Sequence, residues 1–384
     1  MTDTNVADVT IASDKPATRP VRPHFSSGPC AKPPGWDASK LATASLGRSH
    51  RSKLGKQRLA YCIELMRETL NLPDTHRLGI VPGSDTGAFE MAMWTMLGAR
   101  PVTTLAWESF GEGWVTDAVK QLKIDSTVIR ADYGDLPDLT QVDWSNDVLF
   151  TWNGTTSGVR VPNGDWIADD REGLSFADAT SGVFAYDMPW DKIDVATFSW
   201  QKVLGGEGAH GVIILGPRAV ERLESYTPAW PLPKLFRLTS KGKLSEGVFK
   251  GETINTPSML AVEDAIFALE WGKGLGERGL IARSDANAAA LDAIVAERDW
   301  LGHLASDPAS RSKTSVCLTV AGADEALIKS MAALLEGEDA AYDVAGYRDA
   351  PPGLRIWCGA TVDTADIVAL GPWLDWAYAT AKAG

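Results

Sequence analysis

The chain has few residues that could staple it, and no run that could span a membrane. Only four of its 384 residues are cysteine, Cys30, Cys62, Cys317 and Cys358. They are far apart and never form a Cys-x-x-Cys pair, which argues against a disulfide framework or a structural metal and fits a reducing, cytoplasmic compartment. No apolar run is long enough to cross a bilayer. The first twenty or so residues lack the apolar core of a signal peptide, so 1–21 reads as a disordered tail. Positive charge is also short: 37 Lys and Arg against 50 Asp and Glu leave a net charge of −13. That balance argues against a nucleic-acid partner, and any anionic ligand must be held by local basic groups rather than by the overall field. The Gly-x-Gly-x-x-Gly dinucleotide fingerprint is absent, no Gly-Lys-Ser/Thr completes a P-loop, and there is no internal repeat.

What is present is enough apolar residue, 45% of the chain, for one large core and a smaller one. From about Leu78 to Leu215, short β-rich runs alternate with helical or turn segments: Thr103 to Leu105, Ser126 to Ile129, Val148 to Trp152, Leu174 to Ala177, Val195 to Ser199 and Gly211 to Leu215. This is the rhythm of an α/β sheet covered by helices. Pro228 to Thr256 reads as an irregular excursion. Beyond it, helical patterns over Met259 to Trp271 and Leu280 to Trp300 lead into a smaller α+β unit. Its expected strands are Ser315 to Val320 and Leu354 to Cys358, and its last helix presents Ile367, Leu370, Leu374 and Ala377 on one face. The expected division is a tail over 1–21, a large ligand-binding domain over 22–262 and a small C-terminal domain over 263–384.

The chemistry concentrates at Ser199-Trp200-Gln201-Lys202-Val203-Leu204-Gly205-Gly206. A lysine placed between a β-branched run and a glycine turn can reach a buried aldehyde and be desolvated enough to act as an amine; its alternative is an ordinary surface charge. Upstream, Leu174 to Asp178 reads as a buried strand ending in an acid. Such an acid keeps the pyridine nitrogen of pyridoxal phosphate protonated, so that the ring can accept electrons; taken alone, Asp178 is equally a turn or capping residue. Ile80 to Ala88 is a small-residue loop opening a helix, whose free N–H groups suit a phosphate. Asp85 is awkward there, so its side chain should cap the helix or point away.

Lysine, acid and loop together, with Phe25 to Pro29, Ser49 to Lys53, Asn255-Thr256-Pro257, Tyr347-Arg348 and Gly353-Leu354-Arg355, resemble the fold-type I pyridoxal-phosphate enzymes of the class V aminotransferase group. Within that group the chain is similar to the phosphoserine aminotransferases, over nearly everything after the tail. The resemblance implies a large, mostly parallel seven-stranded sheet domain and a smaller α+β domain. It makes Lys202 the Schiff-base lysine and proton shuttle, with Asp178 on the pyridine nitrogen and Thr155 on the ring hydroxyl. Ser84, Asp85, Thr86 and Gln201 would contact the cofactor phosphate, and Asn255 and Thr256 would reach in from the other subunit of a homodimer. Phe110 is favoured as the ring-stacking aromatic, with Trp114 as the alternative. Arg355 matches the α-carboxylate clamp; Arg48, His50, Arg51 and Arg348, with Ser27 and Gly28, complete the substrate site. A planar guanidinium can hold a carboxylate or phosphate through two parallel hydrogen bonds.

The implied reaction is ping-pong transfer of an amino group from glutamate to 3-phosphohydroxypyruvate, giving phosphoserine, and by extension 4-phosphohydroxythreonine in vitamin B6 synthesis. The chain departs from the family in lacking tryptophan at the stacking position and arginine in the phosphate loop. Serine- or alanine-glyoxylate aminotransferase is the alternative within the class. A cysteine desulfurase is disfavoured by the missing stacking histidine and by the position of Cys358 in a strand-like run. Outside the class, the alternative is a non-catalytic nucleotide-binding α/β protein.

Overall fold

The structure is a computed structural model that describes residues 14–42 and 44–383. Helix α1 (Lys53–Thr69) starts where the Ser52 hydroxyl accepts the N–H of Gly55 at 3.2 Å. It buries Leu59, Cys62, Ile63 and Met66, a helical spacing that turns one face to the core. The sheet elements then follow: β1 (Arg77–Pro82), α2 (Ser84–Met96), β2 (Val102–Ala106), α3 (Ser109–Thr116), β3 (Ser126–Arg130), β4 (Asp147–Thr151), β5 (Ser175–Asp178), β6 (Val195–Ser199) and β7 (His210–Leu215).

These seven strands form one sheet in the order β1-β7-β6-β5-β4-β2-β3. The pairs from β3 through β6 are parallel, while β7 runs antiparallel to β6 and β1. Every residue of β2, β4, β5, β6 and β7 is buried, as expected for strands covered on both faces. The order reverses between β2 and β4, which opens a crevice at the carboxyl ends of those strands. Charged groups inside the opposite end are paired: Asp147 takes the Arg222 guanidinium at 2.7 and 3.1 Å, and Asp194 takes Arg171 and Arg218. Such pairing is what a buried carboxylate requires.

Helix α4 (Pro217–Ser225) precedes the excursion, which contains a hairpin of β8 (Thr239–Ser240) with β9 (Lys243–Leu244) and leads to α5 (Met259–Gly274), which packs on α1. The boundary expected between 262 and 263 falls inside α5, whose helix is continuous across it. Next come α6 (Gly279–Ala296), β10 (Leu301–His303), β11 (Ser315–Val320), α7 (Glu325–Gly337), β12 (Gly353–Trp357) and α8 (Thr364–Ala383). Strands β10, β11 and β12 form an antiparallel sheet, with α6 and α7 packed on α8. The helical run expected to reach Trp300 ends at Ala296, making room for β10, which the sequence reading did not foresee.

Residues 14–21 differ from the expected free tail. The Trp373 indole N–H donates to the Thr18 carbonyl at 2.7 Å, the Val21 N–H donates to Asp366 at 2.6 Å, and Lys15 and Arg19 pair with Glu338 at 2.6 and 3.1 Å. Buried tryptophan and carboxylate groups thus supply partners that the polar composition of the segment concealed. Residues 1–13 lie outside the described residues. From Pro23 to Phe25 the chain bonds to Tyr342 and Trp357, which delivers Ser27 and Gly28 to the crevice.

Candidate active site

Loops leaving the carboxyl ends of β1, β2, β4, β5 and β6 enclose a cavity of about 370 Å³, lined by Gly28, Ser84, Asp85, Thr86, Phe110, Trp114, Thr151, Thr155, Asp178, Thr180, Gln201 and Lys202, among others. Lys202 follows β6 and is buried. Burial holds its amine below the usual lysine range, and the nearby Arg355 guanidinium pushes the same way. Its Nζ contacts the Ser27 carbonyl. Gly28, at φ 149°, leaves room for that amine; a Cβ there would collide with Nζ. After Lys202 the chain turns through Gly205, at φ 63°, where a Cβ would strike the Ala31 carbonyl.

Asp178 closes β5 at the cavity floor. Its Oδ2 accepts the Trp114 indole N–H at 3.1 Å and its Oδ1 accepts the Thr180 N–H at 3.1 Å. Trp114 is buried against Phe89, with ring centroids 4.5 Å apart, whereas Phe110 is 41% exposed and lies 5.8 Å from the Tyr347 ring. The two aromatics weighed for one place therefore occupy different places.

The first turn of α2 approaches the cavity because Gly83 adopts φ 88° and because Gly211 on β7 has no side chain; a Cβ there would meet the Ser84 carbonyl and, at 2.7 Å, the Ala88 Cβ. Asp85 is buried and makes no cap bond. Burial, reinforced by the Asp178 charge, raises its pKa well above the usual carboxylate range.

Two contributors were not singled out from sequence. Glu108 accepts from the Gly111 N–H at 2.9 Å and from the Thr156 hydroxyl at 2.7 Å, which ties the start of α3 to the loop bearing Thr155. Burial raises its pKa. Glutamate is not one of the usual N-cap residues, so no sequence signal marked this role. Ser315 on β11 donates to the Thr155 carbonyl at 2.6 Å and its hydroxyl oxygen lies 3.1 Å from the Ser27 hydroxyl, which can donate to it, a link between sheets with no local signature.

Other expected residues stand apart from the lining. Arg355 on β12 is half-buried, its guanidinium 5.6 Å from the Tyr347 ring centroid and its Nε without a partner. Arg348 is 81% exposed and lies 5.5 Å from the same ring. Arg48 and Arg51 are exposed before α1, and His50 is half-buried with a partnerless Nε2. Asn255 is half-buried and Thr256 exposed. Within one chain, none of these seven lines the cavity.

The donor set suits pyridoxal phosphate. A buried, desolvated amine faces the cavity, a carboxylate held by two N–H groups stands on its floor, and a helix N-terminus lies beside it. The hydroxyls of Thr151 and Thr180, both lining the cavity, are buried without hydrogen-bond partners, polar capacity that a bound group would use.

No family model matches the chain. It is 58% identical over 370 residues to the phosphoserine aminotransferase of Methanosarcina barkeri, covering 96% of this chain and 100% of that one, and equally to that of Methanosarcina mazei. The fold is that of a phosphoserine aminotransferase from Cytophaga hutchinsonii, with TM-score 0.80 at 19% identity over 92% of this chain and 98% of that one. It also matches a pyridoxamine-pyruvate aminotransferase from Mesorhizobium loti, with TM-score 0.81 at 18% identity over 96% and 95%. Full-length identity at this level, joined to the lysine, acid and helix-terminus geometry, places the chain in the phosphoserine aminotransferase family.

Proposed function

We propose that the protein uses pyridoxal phosphate to transfer an amino group between L-glutamate and 3-phosphohydroxypyruvate, giving O-phospho-L-serine and 2-oxoglutarate. The observation that carries this reading is the desolvated Lys202 amine on the same cavity as the doubly held Asp178. Pyridoxal phosphate, when bound, supplies an aldehyde for an amine to condense with and a ring that withdraws electrons from a substrate α-carbon.

The chain's own groups do the rest. With the cofactor bound, Lys202, whose amine burial holds below the usual lysine range, would hold its aldehyde and would be the base that carries a proton from the substrate α-carbon to the cofactor carbon on the far side of the nitrogen. Asp178 would accept the hydrogen bond of the ring nitrogen, Thr155 would bond the ring hydroxyl and Phe110 would cover a ring face. The first-turn N–H groups at Ser84 and Thr86, with Gln201, hold the phosphate. Arg355 clamps the substrate α-carboxylate. Glutamate and phosphoserine are both dianionic acids of similar length, so one cationic pocket serves both.

A single chain's cavity has too few cations for that task, which supports a homodimer in which Arg48, His50 and Arg51, together with Asn255 and Thr256, complete the neighbouring subunit's site, with Arg348 at the rim. Domains at 22–262 and 263–384, use of 4-phosphohydroxythreonine and a cytoplasmic location belong to the same reading. Four buried free cysteines and the lack of any membrane-spanning helix among the described residues support the location.

The test is the visible spectrum of the purified protein with L-phosphoserine, with serine and alanine as controls. A yellow band that bleaches with phosphoserine and hardly with the others is expected. Bleaching by alanine or serine instead would shift the reading to a glyoxylate aminotransferase, and a protein that stays colourless with added cofactor would end it.

A further inference from the structure

Helix α2 carries an acid where its own geometry gives it nothing to do. Gly83 occupies the N-cap position and no side chain caps the first turn. Asp85 lies buried on the cavity wall, with its carboxyl near those of Asp178 and the hydroxyls of Thr180 and Thr197. Its Oδ1 has no hydrogen-bond partner, and neither does the Thr180 or the Thr197 hydroxyl. An ionised Asp85 would place two negative charges side by side away from water, an arrangement that holds a proton.

Which acid keeps the proton follows from their donors. Asp178 receives N–H groups from Trp114 and from Thr180, so it already acts as an acceptor on both oxygens. Asp85 receives no N–H at all. A carboxylate has about four acceptor positions. The two N–H groups use two of those on Asp178, leaving one for the ring nitrogen and one for a donor from the side of α2. A protonated Asp85 is such a donor.

We propose that Asp85 is a positioning residue that stands as a neutral acid and donates its O–H to Asp178, fixing that carboxylate toward the ring nitrogen while keeping the first turn of α2 free of negative charge. This rests on the cofactor reading above. No proton leaves Asp85; it is held as a hydrogen bond. The arrangement also removes the conflict between an aspartate and a phosphate at one helix terminus, since the side chain contributes a dipole rather than an anion.

The experiment compares Asp85→Asn, which keeps an N–H donor in place of the O–H, with Asp85→Ala. The infrared difference spectrum of the full-length wild-type protein minus Asp85→Asn is expected to contain the carbonyl stretch of a protonated carboxyl at neutral pH. Added pyridoxal phosphate should bind Asp85→Asn within about twofold of wild type and Asp85→Ala about tenfold more weakly, the loss of one hydrogen bond to a charged group. The pH at which the bound cofactor's visible band changes should move in the alanine variant and stay in place in the asparagine variant.

An ionised-carboxylate signature in the difference spectrum, or equal damage from both substitutions, would overturn the proposal. The infrared band is read without cofactor, so it decides the protonation of Asp85 even if the protein fails to take up pyridoxal phosphate.

Discussion

Lys202 illustrates how one buried side chain couples stability to chemistry. A charged amine is strongly disfavoured in this cavity, so the folded chain holds it below its ordinary pKa. The amine thereby loses its proton more readily than an ordinary lysine, and between the lowered value and the ordinary one the unfolded chain binds the proton more tightly. More protons on the unfolded state means that stability rises as pH rises through that window and levels off above the ordinary lysine value. Lys202→Ala should therefore stop transamination, with a loss of at least about 10²- to 10⁴-fold, while remaining folded. In denaturant titrations of the cofactor-free protein from neutral to alkaline pH, it should also lack the upward slope of wild type. Parallel slopes would mean that the wild-type amine is already solvated and charged. The slope is the quantity to read, because removal of the side chain changes the absolute level for packing reasons as well.

Secondary-structure elements reach the site by close approach, and glycines decide how close. Helix α2 lies against the start of β7 because Gly211 presents no side chain to Ser84 and Ala88. Gly211→Ala should lower unfolding free energy by about 1–3 kcal/mol and loosen cofactor binding, because the displaced turn is the one that presents N–H groups. Gly113→Ala on α3, where a Cβ meets nothing within 4 Å, should be neutral or slightly stabilising. Thermal melts and cofactor titrations of the pair check this, and equal effects would show that α2 tolerates the shift. Legibility at this scale follows burial. The central strands could be read because they are covered on both faces and so spell continuous apolar runs, and Lys202 and Asp178 could be read because they terminate such runs. The antiparallel insertion of β7 beside β1, the Glu108 tie to Thr156 and the Trp114 bond to Asp178, made across 64 residues of sequence, are tertiary pairings. No local pattern encodes them, just as none told Phe110 from Trp114 or showed that 14–21 is pinned to α8.

The whole molecule leaves one imbalance for assembly to resolve. The proposed substrates carry two anionic ends, while the basic cluster before α1 faces outward in the single chain. Directly after that cluster, α1 packs against α5, and the pair exposes Leu54, Tyr61 and Leu260, with Leu46 in the loop before α1, apolar surface of the kind that contacts cover. A two-fold dimer through this region would let each subunit lend Arg51 to its partner's cavity. Mixing two inactive proteins tests that geometry. In a hybrid of Lys202→Ala with Arg51→Ala, one site combines both defects, while the other combines an intact lysine from one subunit with an intact arginine from its partner. Random reassortment of subunits makes half of the dimers hybrids, so activity should return to about a quarter of wild type. If Lys202 and Arg51 instead served the same chain's site, every site in the mixture would carry one defect and no activity would return, however completely the subunits exchanged.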